Sequence, residues 1–132
     1  MSKSKGGTIT LTDSLEEIKA VLAKAVTDSG KGESFPATGG TANLVTFVEL
    51  FEGHDRAMQY KSEYKAQGIR YGELKTELAD AIYKELQPIQ ERRKYYEEHP
   101  EEVDQILEDG KNYAQKIARE TLKEVREKMG LV

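Results

Sequence analysis

Residues 71–99 read YGELKTELADAIYKELQPIQERRKYYEEH. Leu74, Leu78, Ile82, Leu86 and Ile89 recur at three- and four-residue steps, which places them on one face of a helix. The spacing therefore predicts one long helix, with Pro88 inside it. A proline there removes one backbone hydrogen bond and crowds the preceding turn, so a bend is expected at that point. His99-Pro100-Glu101-Glu102 then restarts the chain, because proline suits the first helical position and acids suit the first turn. The helix that follows carries Val103, Ile106, Leu107, Ala114, Ile117, Leu122, Val125 and Met129, and it is expected to end at Gly130.

Working back from this segment, every apolar pattern as far as Gly40 is helical. Asp55 is placed to cap a helix through Met58, Tyr60 and Tyr64 to Gly68. Thr41 is placed to cap another, carrying Leu44, Val45, Phe47, Val48 and Phe51 and stopping at Gly53. The stretch GKGESFPATGG at 30–40 holds glycines and Pro36 and reads as a flexible link. Before it, Asp13 or Ser14 can cap a first helix, with an acid three residues later to complete a capping box. Leu15, Ile18, Val21, Leu22, Ala25 and Val26 share its apolar face, and its end is expected near Asp28-Ser29-Gly30. Thr8 to Thr12 alternates polar and apolar residues, as a short strand or extended segment does. The fold class is all-α, a helical bundle preceded by a short extended leader.

The chain has 132 residues, one third of them charged, with a net charge of −4. That balance advertises neither nucleic acid nor membrane, so any nucleic-acid surface must be a local patch. The absence of cysteine excludes disulfides, thiolate zinc sites and cysteine nucleophiles, and it fits a reducing cytosol. No apolar run approaches membrane-spanning length, and no secretory signal opens the chain, so a cytoplasmic location is expected.

A self-contained active site does not emerge. His54 follows a helix-stopping glycine and His99 precedes a helix-starting proline, so both read as loop or capping residues, and no histidine pair is spaced for a metal. Glu16, Glu17, Glu101 and Glu102 read as helix-start acids. Two stretches remain. MSKSKGG at the start sets Lys3 and Lys5 on a glycine-flexible loop, where ammonium groups can stabilise charge on a polyphosphate and Ser2 and Ser4 can donate to its oxygens. QERRKYYEEH sets Arg92, Arg93 and Lys94 beside Tyr95 and Tyr96. A basic surface with aromatic rings is what splayed RNA bases and their phosphates require. On the last helix, Lys116, Arg119, Lys123 and Arg126 form a basic stripe. The plainer reading of that stripe is a solvated face with ion pairs such as Glu120 with Lys123 and Glu124 with Lys128.

Taken in order, MSKSKGGTITLTDSLEEI, KAVTDSGKG, GGTANLVTFVELFEG, GIRYGELKTELADAIYKEL and ILEDGKNYAQKIARETLKEVREKMGL resemble the C-terminal portion of bacterial tryptophanyl-tRNA synthetases, which are class I aminoacyl-tRNA synthetases. The resemblance covers essentially the whole chain. MSKS looks like the last four residues of the KMSKS signature, so the chain starts inside that signature and lacks its first lysine.

The resemblance implies that Lys3 is catalytic. It would stabilise the phosphate charge that develops as tryptophan attacks ATP with magnesium nearby, while Ser2 and Ser4 share in ATP binding. It implies a tail of the catalytic Rossmann domain at residues 1–30, a linker at 31–40 and a helical anticodon-binding domain at 41–132. Arg92, Arg93, Lys94, Tyr95 and Tyr96 are then candidates for tRNA contact. The partners implied are tryptophan tRNA and the N-terminal catalytic half, with no DNA and no membrane. The HIGH signature and the tryptophan pocket of the family have no counterpart here, so the chain by itself is expected neither to form the adenylate nor to retain ATP. The rival reading is a free-standing helical RNA-binding or scaffolding module derived from a synthetase. Ile9, Leu11, Leu15 and Ile18 have no obvious partner before the link, so the first helix is expected to expose its apolar face.

Overall fold

Ser14 starts the first helix. In the computed structural model, which describes residues 7–131, the Ser14 hydroxyl accepts from Glu17 N at 3.3 Å, and the Glu17 carboxylate accepts from Ser14 N at 2.8 Å. This reciprocal box satisfies two helix-start donors at once. The helix it opens is α1 (Leu15–Ala23), followed by α2 (Gly40–Glu52), α3 (His54–Lys65), α4 (Tyr71–Glu98) and α5 (Pro100–Lys128). Among the described residues there is no strand, and the fold is all-helical. Thr8 to Thr10 belongs to no regular element, and Leu11 and Thr12 turn. Asp13 N donates to Thr10 O at 3.2 Å, and Asp13 Oδ2 accepts from Thr10 N at 2.9 Å, so the leader closes on itself rather than pairing as a strand.

The described residues divide into two compact units, one up to Gln90 and one from Glu91. In the first unit, α1 to α4 share one core. Ile18 and Leu22 of α1 join Leu44, Val45 and Val48 of α2, Tyr60 and Tyr64 of α3, and Leu74, Leu78 and Ile82 of α4. The expectation of an exposed first helix is therefore corrected. Ile18 is fully buried, Ile9 and Leu15 pack against the core, and of the four residues in question only Leu11 stays exposed.

Three polar side chains of α4 set the direction of α1. Gln90 Nε2 donates to the carbonyls of Leu11 (3.1 Å) and Asp13 (3.0 Å), Lys19 pairs with Asp80 at 3.4 Å, and Lys75 Nζ donates to the carbonyls of Ala23 (3.1 Å) and Ala25 (2.9 Å). As the chain advances along α1 its partners recede along α4, so the two helices run antiparallel. Lys75 also supplies donors and positive charge where α1 presents unpaired carbonyls.

Helix α1 ends at Ala23, earlier than the apolar pattern suggests, and Val26 lies exposed rather than on its inner face. The reason is packing. A Cβ at Gly40 would run into the Val26 carbonyl, so the start of α2 lies directly against the chain leaving α1. The glycine serves close backbone approach here, not looseness. Thr41 is likewise not a cap. Gly39 holds that position without a side-chain bond, and Thr41 is buried as the second residue of the helix.

The stretch from Gly30 to Phe35, read as a loose link, is tied to its neighbours. Ile69 N donates to Gly30 O at 2.7 Å, Gly32 N donates to Tyr64 O at 3.3 Å, and the Phe35 ring meets Tyr64 edge-on with centroids 5.4 Å apart.

These ties converge on Asp28. Asp28 N donates to Thr41 Oγ1 at 3.4 Å, the Thr41 hydroxyl donates to Tyr71 Oη at 2.6 Å, and the Tyr71 hydroxyl closes a ring by donating to Asp28 Oδ1. Oδ1 also accepts from Gly30 N at 2.8 Å, and Oδ2 accepts from the Tyr64 hydroxyl at 2.9 Å. Partial burial opposes the Asp28 charge, but these donors outweigh it and hold the carboxyl below its ordinary range. Burial and the Asp28 charge push the Tyr71 hydroxyl up to about 12.

In the second unit, α5 buries no residue. Pro100 occupies its first turn with Glu101 and Glu102, and Arg126 and Lys128 occupy its last, as expected. Pro88 lies inside α4. Ile89 and Met58, expected on apolar faces, are about half exposed.

Two predictions follow from the packing around Asp28. Gly40→Ala forces the start of α2 off the chain at Val26 and should destabilise by about 2 kcal/mol or more in urea unfolding, by the size of overpacking effects. The same change at Gly72, which has open space around it, should cost far less. The second concerns pH. A phenol whose folded value lies above its unfolded one contributes stability below the unfolded value and loses it as pH rises through the folded value. For Tyr71 that window runs from about 10 to about 12. Tyr71→Phe should therefore lose about 1 kcal/mol at neutral pH and show a shallower alkaline decline than the parent chain in thermal melts.

Candidate nucleic-acid interface

Ser2, Lys3 and Ser4 lie outside the described residues. The chain that follows them is held firmly from Thr10 onward. Hydrogen bonds from the Thr10 hydroxyl and amide keep the Asp13 carboxyl below its usual range, and Gln90 clasps the turn.

Arg92, Arg93, Lys94, Tyr95 and Tyr96 all lie in the second unit, exposed on the last turns of α4. The glutamates around them act as direct partners. Arg93 Nε donates to Glu97 Oε1 at 2.7 Å, and Lys94 Nζ stands 3.8 Å from Glu98 Oε1. Arg92 makes no ion pair among the described residues. Exposed pairs of this kind hold by less than about 1 kcal/mol, so a phosphate can displace the glutamates.

The two tyrosines differ in how firmly they are held. Tyr95 stacks on His99 with centroids 4.3 Å apart and planes 20° from parallel, and its hydroxyl donates to Glu102 Oε1 at 2.6 Å. That bond to the Glu102 carboxylate raises the Tyr95 phenol above its usual value. Tyr96 meets Tyr95 edge-on at 5.4 Å and borders a shallow hollow with Arg93, Glu97, Val103 and Ile106. One ring is thus fixed by a histidine, and the other edges an apolar depression with a guanidinium beside it. His99 is the residue that sequence reasoning left as a mere cap. No spacing in the sequence signals this, because His99 lies in the non-helical junction between α4 and α5.

On α5, Lys123 pairs with Glu127 at 3.8 Å rather than with Glu120, while Lys128 pairs with Glu124 at 3.9 Å as expected. Lys116, Arg119 and Arg126 have no ion pair among the described residues.

The first unit carries a polar cleft of about 590 Å³ whose lining includes Lys31, Arg56, Tyr60, Arg70, Glu73 and Glu77. Two of its arginines are paired with glutamates, Arg56 with Glu77 and Arg70 with Glu73. Arg56 lies 4.5 Å above the Tyr60 ring and donates to Glu77, and the Tyr60 hydroxyl donates to the same carboxylate at 2.8 Å. The Arg56 guanidinium holds Glu77 below the usual range, whereas burial raises neighbouring Glu52. This network braces α3 against α4. His54, at the start of α3, pairs with Glu49 at 2.6 Å. Among the described residues no group of three histidine or acidic side chains could hold a metal, and no helix is long and apolar enough to cross a membrane.

The family described as tRNA synthetases class I (W and Y) matches residues 1–87. Tryptophan–tRNA ligase of Wolinella succinogenes is 35% identical over 136 residues, covering 100% of this chain and 40% of its own length. The ligase of Caldanaerobacter subterraneus subsp. tengcongensis is 38% identical, also over 100% of this chain and 40% of its own. That of Bacillus subtilis is 35% identical over 93% of this chain and 37% of its own. The chain thus spans about two fifths of the length of these relatives. No solved structure matches it significantly. With the family match covering well over half of the residues and the relatives extending it to both ends, the chain belongs to the class I tRNA synthetases of the tryptophan and tyrosine group.

Proposed function

We propose that this chain serves as the C-terminal portion of a tryptophan–tRNA ligase, working with the N-terminal catalytic half in the ATP-dependent attachment of tryptophan to its tRNA. The observation that carries this reading is identity of 35–38% to tryptophan–tRNA ligases along the full chain. Residues 1–30 are then the tail of the catalytic domain, 31–40 its connection, and 41–132 the anticodon-facing helices. Cytoplasmic location follows from the reaction's place in protein synthesis.

In this reading Ser2 and Ser4 donate to ATP phosphates from a loop, and Lys3 stabilises the charge that builds on departing pyrophosphate. Magnesium would arrive on the phosphates themselves, as it does in phosphoryl-transfer sites. No step is assigned to the metal. At the other end of the chain, Arg92, Arg93 and Lys94 track tRNA phosphates by displacing Glu97 and Glu98. Tyr96, beside its apolar hollow, offers a stacking surface to an unpaired base, with Tyr95 held behind it by His99.

Binding to tryptophan tRNA and to an anticodon-swapped transcript, each at two salt concentrations, tests the proposal. The expected result is preference for tryptophan tRNA that survives the higher salt, with overall affinity falling steeply as salt rises. Tyr96→Ala should weaken binding by about 1–3 kcal/mol without changing the salt slope, and Arg92→Ala should weaken both tRNAs and lower the slope by roughly one. Equal binding of both tRNAs in the parent chain would overturn the anticodon role. Combined with a catalytic half, Lys3→Ala should slow ATP–pyrophosphate exchange by about 10²–10³-fold with little change in tRNA affinity.

A further inference from the structure

The leader, the exit of α1 and the first turns of α2 enclose a hollow of about 520 Å³ in the first unit. Its wall is mainly apolar, with Ile9 from the leader, Val21 and Leu22 from α1, Val26 from the exit and Phe47 from α2. Helix α2 carries this surface outward. Asn43, Phe47 and Leu50 recur at four- and three-residue steps and so share one face. Leu50 is 72% exposed and Val26 81%. A hollow that opens onto an apolar surface left in water is a contact site.

Two polar groups stand in the same wall, Lys24 and Asn43. Among the described residues Lys24 has no ion pair, and the Asn43 amide makes no side-chain hydrogen bond. That amide can bond the backbone of an inserted segment, and the ammonium can meet an acid beside it.

Shape and connectivity identify the occupant. A second copy related by a two-fold axis would set this concavity against itself and fill neither. A small ligand would fill the hollow and still leave Leu50 in water. A protrusion of another folded body covers both. About three fifths of the tryptophan–tRNA ligases matched above lies outside the match. In the function proposed above, that part includes the catalytic half and joins this chain at residue 1. Gly7 lines the hollow, so the junction lies no more than about 20 Å of extended chain from it. A surface tethered that closely has an effective concentration of the order of millimolar, and a modest apolar contact is then enough to fill the site. The wall also spans the boundary drawn there, since the leader and α1 fall in the tail of the catalytic domain and α2 in the anticodon-facing helices.

We propose that the N-terminal catalytic half seats an apolar protrusion in this hollow and thereby ties the leader and α1 to α2. The inference rests on the reading of this chain as the C-terminal portion of a ligase.

The test pairs the full chain with the part of the Caldanaerobacter ligase that lies outside the match. The two are co-expressed as separate polypeptides, and the affinity of the purified pair is measured by sedimentation. The expected result is a stable pair. Phe47→Asp and Leu50→Asp should each weaken it by about tenfold or more. Asn43→Ala should weaken it by about fivefold while leaving the melting of the free chain no lower, because alanine favours a helix interior. Met58→Asp, at a half-exposed residue outside the hollow, should leave the affinity unchanged. If Phe47→Asp lowers the melting of the free chain, the far more exposed Leu50→Asp decides. Parental affinity in both Leu50→Asp and Asn43→Ala would overturn the inference and leave the ligase reading standing, since the pair still forms. Failure of the parent chain to pair would also overturn it, and the ligase reading would then be decided by the tRNA discrimination described above.

Discussion

One exposed carboxylate organises the first unit. Asp28 accepts from Gly30, Tyr64 and Tyr71, and its own amide reaches Thr41. These contacts join the exit of α1, the start of α2, the end of α3 and the start of α4. Apolar burial draws the four helices together but does not by itself choose among neighbouring registers, because it is not directional. The ring through Asp28, Thr41 and Tyr71 is directional and leaves none of its donors unused. Each link in it also polarises the next, so the ring has more hold than three separate bonds. The early end of α1 and the glycine at position 40 are consequences: the chain must leave the helix in time to bring Asp28 to the tyrosines, and α2 must start close enough to bring Thr41.

This explains which parts of the architecture were legible in the sequence. Helix existence and the caps that use near neighbours were readable, as at Ser14 with Glu17 and at Pro100 with Glu101 and Glu102, because the pattern and its cause lie within one or two turns. The Asp28 ring was not, since its partners stand 13 and 43 residues away. Thr41 illustrates the difficulty. A threonine before an apolar run looks like a cap, and only tertiary contact shows that it serves as a relay. The same holds for 30–40, where glycines that suggest looseness instead permit close approach.

The candidate interface was legible as composition and not as geometry. The run Arg92 to Tyr96 is visible in the sequence, and so are the glutamates around it. The structure adds that two of the three cations are already paired with glutamates four residues on, and that the two tyrosines are unequal because His99 stacks on one of them. Ring stacking across a helix junction depends on the backbone turn at His99, which periodicity does not encode.

The two units hold their helices by different means. The first has a shared core, and the family match ends at residue 87, close to where that unit ends at Gln90. The second has no buried side chain along α5. Its helix is supported locally, by Pro100 and first-turn acids, by last-turn bases, and by Lys111 with Glu108, Lys123 with Glu127 and Lys128 with Glu124. Each such contact contributes only a few tenths of a kcal/mol, and isolated helices are marginal in water even with favourable sequences. Ile106, Leu107, Ile117, Leu122 and Val125 also leave an apolar stripe in water along the same helix. The stability of α5 therefore rests on short-range contacts along its own surface, in contrast to the shared core of the first unit.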